Sequence, residues 1–278
     1  MDDGFDTSLP GTPEEAWEAA LMSLSAWQPQ SKSIVVVAPH PDDETLGAGG
    51  LLYTCAQNGL DITVVLVTNG EAANTDEPGL AARRLGELQA ALRHLTPGGC
   101  RVMKAGLPDG KVAGHLEALT QLLETVVGRD STLVGPFEAD GHTDHDAAGR
   151  ACMRAATKLG VPLVRYPIWA WQQQSASAFL GTAASGQKCP LPNELNERKS
   201  RLARVGRKRR RRLSADKVEP QAAFSRKLGR FPLQSDARAA KGRAIACYVS
   251  QIESGPHGAV VPPHVLQYFR RPYEVFLL

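Results

Sequence analysis

The sequence predicts an α/β protein built on a mostly parallel sheet with helices on both faces. Three observations carry that prediction. Short apolar, β-branched runs recur at 34–38, 62–67, 132–135 and 162–166, the composition of strands buried on both sides of a sheet. Segments of helical period separate them, so each pair of strands has room for a crossover helix. Two of the strands run directly into loops rich in His and Asp, and the carboxyl ends of parallel strands are where such sheets form their ligand crevices.

In chain order, Thr12-Pro13 offers an N-cap and an N1 proline for an amphipathic helix from Glu14 to Trp27, packed on the outside of the core. The strand Ile34–Ala38 leads into a helix over 44–58 that stops at Asn58-Gly59, and strand Ile62–Val67 follows. Leucines 80, 85, 88, 92 and 95 give a helix over 79–95, stopped by Pro97-Gly98-Gly99. A short strand near Arg101–Met103, a helix from Gly114 to Val127 and strand Thr132–Gly135 come next. The loop 137–146 opens a helix to about Leu159, and a fifth strand spans Pro162–Tyr166. Periodicity fades over 170–230, returns at Ser235–Gln251 and ends in a strand at Tyr273–Leu278. The expectation is one domain over 1–278: a core at 34–168, an irregular inserted lobe at 170–230, and a closing helix and strand at 235–278.

Composition narrows the class. The chain has 278 residues, 42% hydrophobic and 22% charged, values ordinary for a globular protein. No apolar stretch approaches the roughly 20 residues of a membrane span. The acidic start Met1-Asp2-Asp3-Gly4 does not read as a signal peptide, and five scattered cysteines suggest reduced thiols. Together these predict a cytoplasmic location. The net charge of +3 is local in origin, because residues 198–212 hold ten Lys or Arg and no acid. That run offers a nucleic acid or acidic partner a surface. It lacks the interleaved aromatic residues of a single-strand groove, so a solvated loop is the simpler reading. Gly47-Ala48-Gly49-Gly50 lacks the dinucleotide spacing and follows acids that would repel a pyrophosphate, which excludes a nicotinamide enzyme.

The chemistry concentrates in the two loops. His40 and Asp43 lie three apart across a strand-to-helix turn, and His142-Thr143-Asp144-His145 follows a later strand. Two His and one Asp give a tetrahedral cation three ligands and an open fourth position, as in a catalytic zinc site. Asp42 then faces the water as general base, and His142 donates a proton or stabilises an oxyanion. Asp144 orients an imidazole from behind. The alternative for Asp42, Asp43 or Asp144 is a helix N-cap.

Pro39-His40-Pro41-Asp42-Asp43-Glu44 together with Gly141-His142-Thr143-Asp144-His145 resembles the LmbE/PIG-L family of zinc-dependent N-acetylglucosaminyl deacetylases. The resemblance runs over about 34–168 and 235–278. It implies a Rossmann-like, LmbE-like fold, zinc on His40, Asp43 and His145, Asp42 as base and His142 as electrophilic or acid group. It also implies that Arg84 reaches a sugar substrate and that Asp109 binds sugar hydroxyls, with Glu71 of similar standing. Two positions depart from the family pattern: Thr143 replaces a Pro, and Tyr248 stands where many relatives carry a His. Tyr248 remains able to hydrogen-bond a substrate. The activity implied is removal of an N-acetyl group from an amino sugar or glycoconjugate, with Fe2+ or another divalent ion as the alternative to Zn2+. Hydrolysis of another N-acyl amide, in a secondary metabolite or with a longer chain, is the nearest rival. Nucleic-acid binding through 198–212 is the more distant one.

Overall fold

The computed structural model describes residues 7, 9–73, 77–181, 227–253 and 258–278. The strands are β1 (Ser33–Ala38), β2 (Asp61–Leu66), β3 (Arg101–Lys104), β4 (Ser131–Pro136), β5 (Leu163–Tyr166), β6 (Leu228–Pro232) and β7 (Tyr273–Leu277). They form one sheet in the order β3-β2-β1-β4-β5-β7-β6. Strands β1 to β5 are parallel, whereas β7 runs antiparallel to both β5 and β6.

Alternation along the central strands sends side chains to two cores. Ile34, Val36 and Ala38 face one cluster with Leu51, Leu52, Leu88 and Leu92, supplied by helices α2 (Asp43–Gln57) and α3 (Leu80–Leu95). Val35 and Val37 face the other with Leu119, Leu123, Ala148 and Cys152, from α4 (Leu116–Val126) and α5 (Thr143–Leu159). Strands buried on both faces read as continuous apolar runs for this reason.

Chain order explains where a crevice must open. β1 carries β2 on one side and β4 on the other, and strand order reverses between β1 and β4. Their carboxyl ends flank the gap that such a reversal leaves.

Three expectations change. The first helix, α1, ends at Leu21 rather than Trp27, and Ala26 instead bridges Arg230 beside β6. The stretch 170–230 is not irregular throughout: Ala170–Gln173 (α6) and Ala176–Leu180 (α7) are helical, and β6 begins at Leu228. Trp171 and Phe179 pack edge-on against Trp17, at 4.8 and 5.5 Å between ring centroids, so these short helices are held by burial rather than by propensity. The closing helix divides into α8 (Ser235–Ile245) and a turn, α9 (Val249–Ile252). The basic run 198–212 lies outside the described residues. Among the described residues no helix is long and apolar enough to cross a membrane.

Candidate metal centre

The loop after β1 is built around Asp42, the sole non-glycine among the described residues with a positive φ, 140°. Such a conformation costs of order 1–3 kcal/mol and persists where surrounding bonds impose it. Here the Asp42 N–H donates to Glu44 Oε2 at 3.2 Å, and the Asp42 carbonyl accepts from Thr45 and Leu46 at 3.0 and 2.8 Å. Glu44 is itself buried and accepts from Thr45 and the Tyr248 hydroxyl. Asp42 and Asp43, both buried, line the cleft at the start of α2.

The loop after β4 reaches the same place through the N-terminus of α5. His142 Nδ1 accepts from the Asp144 N–H at 3.2 Å, capping the helix with an imidazole. A neutral His142 therefore carries its proton on Nε2. Burial and the neighbouring His145 and His40 push its pKa down to about 3, so the ring stays neutral.

Three atoms converge between the loops. His40 Nδ1 and Asp43 Oδ2 lie 3.3 Å apart, Asp43 Oδ2 and His145 Nε2 3.2 Å, and the two ring nitrogens 3.3 Å. Donors bonded tetrahedrally to zinc at 2.0–2.1 Å stand about 3.3 Å from each other. This near-equilateral triangle of two imidazoles and one carboxylate thus fits a divalent ion by spacing and by donor type. The opposite ring nitrogens are also engaged. His40 Nε2 faces Asp109 Oδ1 at 3.2 Å and Asp144 Oδ2 at 3.4 Å, while His145 Nδ1 bonds Asp140 Oδ2 at 2.9 Å. Carboxylates placed behind imidazoles fix the tautomer and raise ligand basicity.

The triangle opens into a cleft of about 500 Å³ lined by His40, Asp42, Asp43, Arg84, Asp109 and His142 among others. No donor among the described residues bonds the Asp42 carboxylate. Burial and the Asp43 charge raise its pKa well above the ordinary range, with Arg84 and His40 pulling the other way.

Arg84 is 2% exposed and belongs to the cleft wall, which excludes a solvated helix face for it. Its guanidinium donates to the Gly70 carbonyl at 2.5 Å and to Gln251 Oε1 at 2.6 Å. Asp109 lines the cleft but divides its carboxylate between His40 and the Ala72 N–H. Glu71 lies exposed at the rim, where it accepts from the Asp109 N–H at 3.2 Å. Asp144 is fully buried, held by the N–H groups of Gly110 and Val112 at 2.7 and 3.0 Å.

Tyr248 is the sequence candidate that the structure places outside the cleft lining. It is 1% exposed, gives its hydroxyl to Glu44 and is absent from the cleft lining. Its phenol reaches Glu44 in the turn after β1 from the N-terminal end of α9, which packs against α3.

Asp140, Glu44 and Gln251 contact the candidate residues in ways that sequence reading did not assign. Asp140 is fully buried and accepts from Ile168, Trp169 and Ala170 N–H groups at 2.9–3.0 Å as well as from His145. Its signal was its position five residues before His145 in a loop already singled out. Gln251 gave no local signal, because only folding brings it to Arg84.

Residues 35–156 match the protein-family model described as PIG-L, GlcNAc-PI de-N-acetylase. The chain is 28% identical over 193 residues to the 1D-myo-inositol 2-acetamido-2-deoxy-alpha-D-glucopyranoside deacetylase of Corynebacterium diphtheriae, covering 58% of this chain and 65% of that protein. It is 31% identical over 133 residues to the probable N-acetyl-alpha-D-glucosaminyl L-malate deacetylase 2 of Bacillus subtilis, covering 44% and 59%. The chain spans between half and just under two thirds of the length of the first curated relatives it matches. In structure it resembles the conserved protein TT1542 of Thermus thermophilus, with a TM-score of 0.55 and 22% identity over 88% of this chain and 94% of that one. That likeness speaks for the fold. Both His- and Asp-bearing loops lie inside the span, residues 35–156, that matches the PIG-L family model.

Proposed function

We propose that the protein hydrolyses the N-acetyl amide of an N-acetylglucosamine-type amino sugar or glycoconjugate, using a divalent ion held by His40, Asp43 and His145. The observation that carries this reading is the 3.2–3.3 Å triangle of donor atoms opening beside the unbonded Asp42 carboxylate. Zinc suits two imidazoles and one carboxylate, and Fe2+ suits the same donors. Such an ion supplies Lewis acidity and makes a nearby water acidic enough to lose a proton near neutral pH.

The chain's own residues do the rest. Asp42 accepts the proton of the attacking water, and burial beside the Asp43 charge, which raises its pKa above the ordinary carboxylate range, makes it a stronger base. As the amide carbon becomes tetrahedral, His142 donates its Nε2 proton as a hydrogen bond to the developing oxyanion. The ring is suited to that as a neutral donor, since Nδ1 is already committed to the helix. Asp42 then returns the proton to the amine nitrogen as the C–N bond breaks, giving acetate and a free amine. Arg84, braced by Gly70 and Gln251, faces a sugar hydroxyl. Asp109 and Asp144 hold His40 in register, and Asp109 adds an acceptor to the wall.

A second reading, hydrolysis of a longer or less sugar-like N-acyl amide, has one observation in its favour. Much of the cleft wall is apolar, with Leu46, Ala72, Ala113, Ile168, Trp169 and Val261, and such a wall suits an alkyl or aryl group. Amine release from N-acetylated sugars, compared with the same sugars bearing longer acyl chains, separates the two. Asp42→Ala should lower kcat about 10²- to 10⁴-fold with bound metal retained, and a variant that loses metal instead would remove the base assignment. The free cysteines Cys55, Cys100, Cys152 and Cys247 suit a reducing compartment, so the cytoplasm is the proposed location.

A further inference from the structure

Helix α2 is interrupted one turn after the catalytic loop. Ala48 has φ −141° and ψ 18°, outside the helical region. An unbroken helix would bond the Gly50 N–H to the Leu46 carbonyl. A buried ion pair from the other end of the chain stands at that position. Lys241 Nζ donates to the Leu46 carbonyl at 2.8 Å and to Glu274 Oε1 at 2.6 Å, and the same Oε1 accepts the Gly50 N–H at 2.7 Å. Glu274 Oε2 accepts the next amide, Leu51, at 2.9 Å. Cation meets orphan carbonyl and anion meets orphan amides, the favourable sense for two helix ends.

The glycines around the break make room for this arrangement. A Cβ on Gly49 would come to 3.2 Å of Lys241 Cγ, one on Gly50 to 2.2 Å of Leu233 Cδ2, and one on Gly47 to 2.2 Å of Tyr166 Cδ2. The glycine-rich stretch that does not fit a nucleotide loop is thus a packing requirement. Ahead of the break, one short turn carries Asp43 and Leu46, both on the cleft wall.

We propose that Lys241 and Glu274 are positioning residues: the pair holds α2 open at Ala48 and so sets the angle at which the Asp42–Asp43 turn meets His145. The inference rests on the reading of residues 40, 43 and 145 as the metal-holding set. Neither side chain lines that cleft, so any effect on the metal passes through the backbone.

The test measures zinc affinity of the metal-stripped full chain, by competition with a chromophoric chelator, beside thermal midpoints and steady-state kinetics. Lys241→Met and Glu274→Gln each strand a buried charge and should lower the midpoint, and the double variant should recover most of it. Zinc affinity should nonetheless stay about tenfold weaker in the double variant, the lower end of what ligand-orienting residues contribute, with kcat reduced and KM unchanged. Glu274→Asp keeps the charge but shortens the reach to the two amides, and should give the same tenfold loss if the double variant fails to fold. Variants that fold and bind zinc as the wild type does would overturn the inference alone. A wild type that binds no zinc would overturn the metal centre itself.

Discussion

Asp140 illustrates how much of the site lies behind the reacting groups. Its two oxygens take three backbone N–H groups and the His145 ring in a fully buried position, so it ties the ligand loop to residues 168–170. Asp140→Asn preserves volume but places an amide donor or a weaker acceptor against Nδ1. We expect zinc affinity to fall about 10- to 100-fold with little change in the far-ultraviolet spectrum; unchanged affinity would show that Asp140 serves the loop alone. Tyr248 is a contrasting residue. Its phenol donates to Glu44 inside the core, so Tyr248→Phe should cost about 1–2 kcal/mol for a buried acceptor left short of a donor. KM for the substrate should stay within a factor of two, and a rise of tenfold or more would return Tyr248 to the cleft wall.

At the scale of elements, α2 is where sequence composition and geometry meet most tightly. Gly50 lies against Leu233, with no space for a methyl group, and gives its N–H to Glu274. Gly50→Ala should therefore destabilise the fold by about 1–3 kcal/mol through overpacking, although alanine is the better helix former. Chemical denaturation measures this directly, and a neutral or stabilising result would mean that β6 and α2 adjust freely. Helix α5 contributes differently. Its N-terminus is capped by the His142 ring, so a group that faces the cleft also satisfies the helix.

For the whole molecule, the charge balance of the site links pH, metal and stability. In the metal-free protein burial disfavours a charged His145, but Asp43 and Asp140 outweigh it and hold its pKa up to about 9. A value raised above the unfolded 6.5 stabilises the fold fully below that pH, and the contribution fades as pH rises through 9. The thermal midpoint of stripped protein should fall between pH 6.5 and 9. On the proposed ligand set zinc competes for the same nitrogen and binds better as the proton leaves, so added zinc should flatten or reverse the slope. A midpoint that rises across this window in the stripped protein would contradict the ion-pair account of His145.

The alternation of buried strands and amphipathic helices was legible because a residue facing two cores must be apolar whatever its partners; Ile34 to Ala38 could be read that way alone. The two loops were legible too, since His and Asp crowded at strand ends have few other uses. What could not be read were placements that depend on strand order and long-range contact. Arg165 pairs with Leu277 across an antiparallel junction, Tyr248 bonds Glu44 inside the core, and Lys241 with Glu274 occupies the break in α2. The sequence by itself supplied the candidate donors for a divalent ion, His and Asp crowded in two loops. Tertiary structure decided how the two loops meet, because only the reversal of strand order sets the ends of β1 and β4 side by side, and the length of a hydrogen bond leaves no freedom in what supports them.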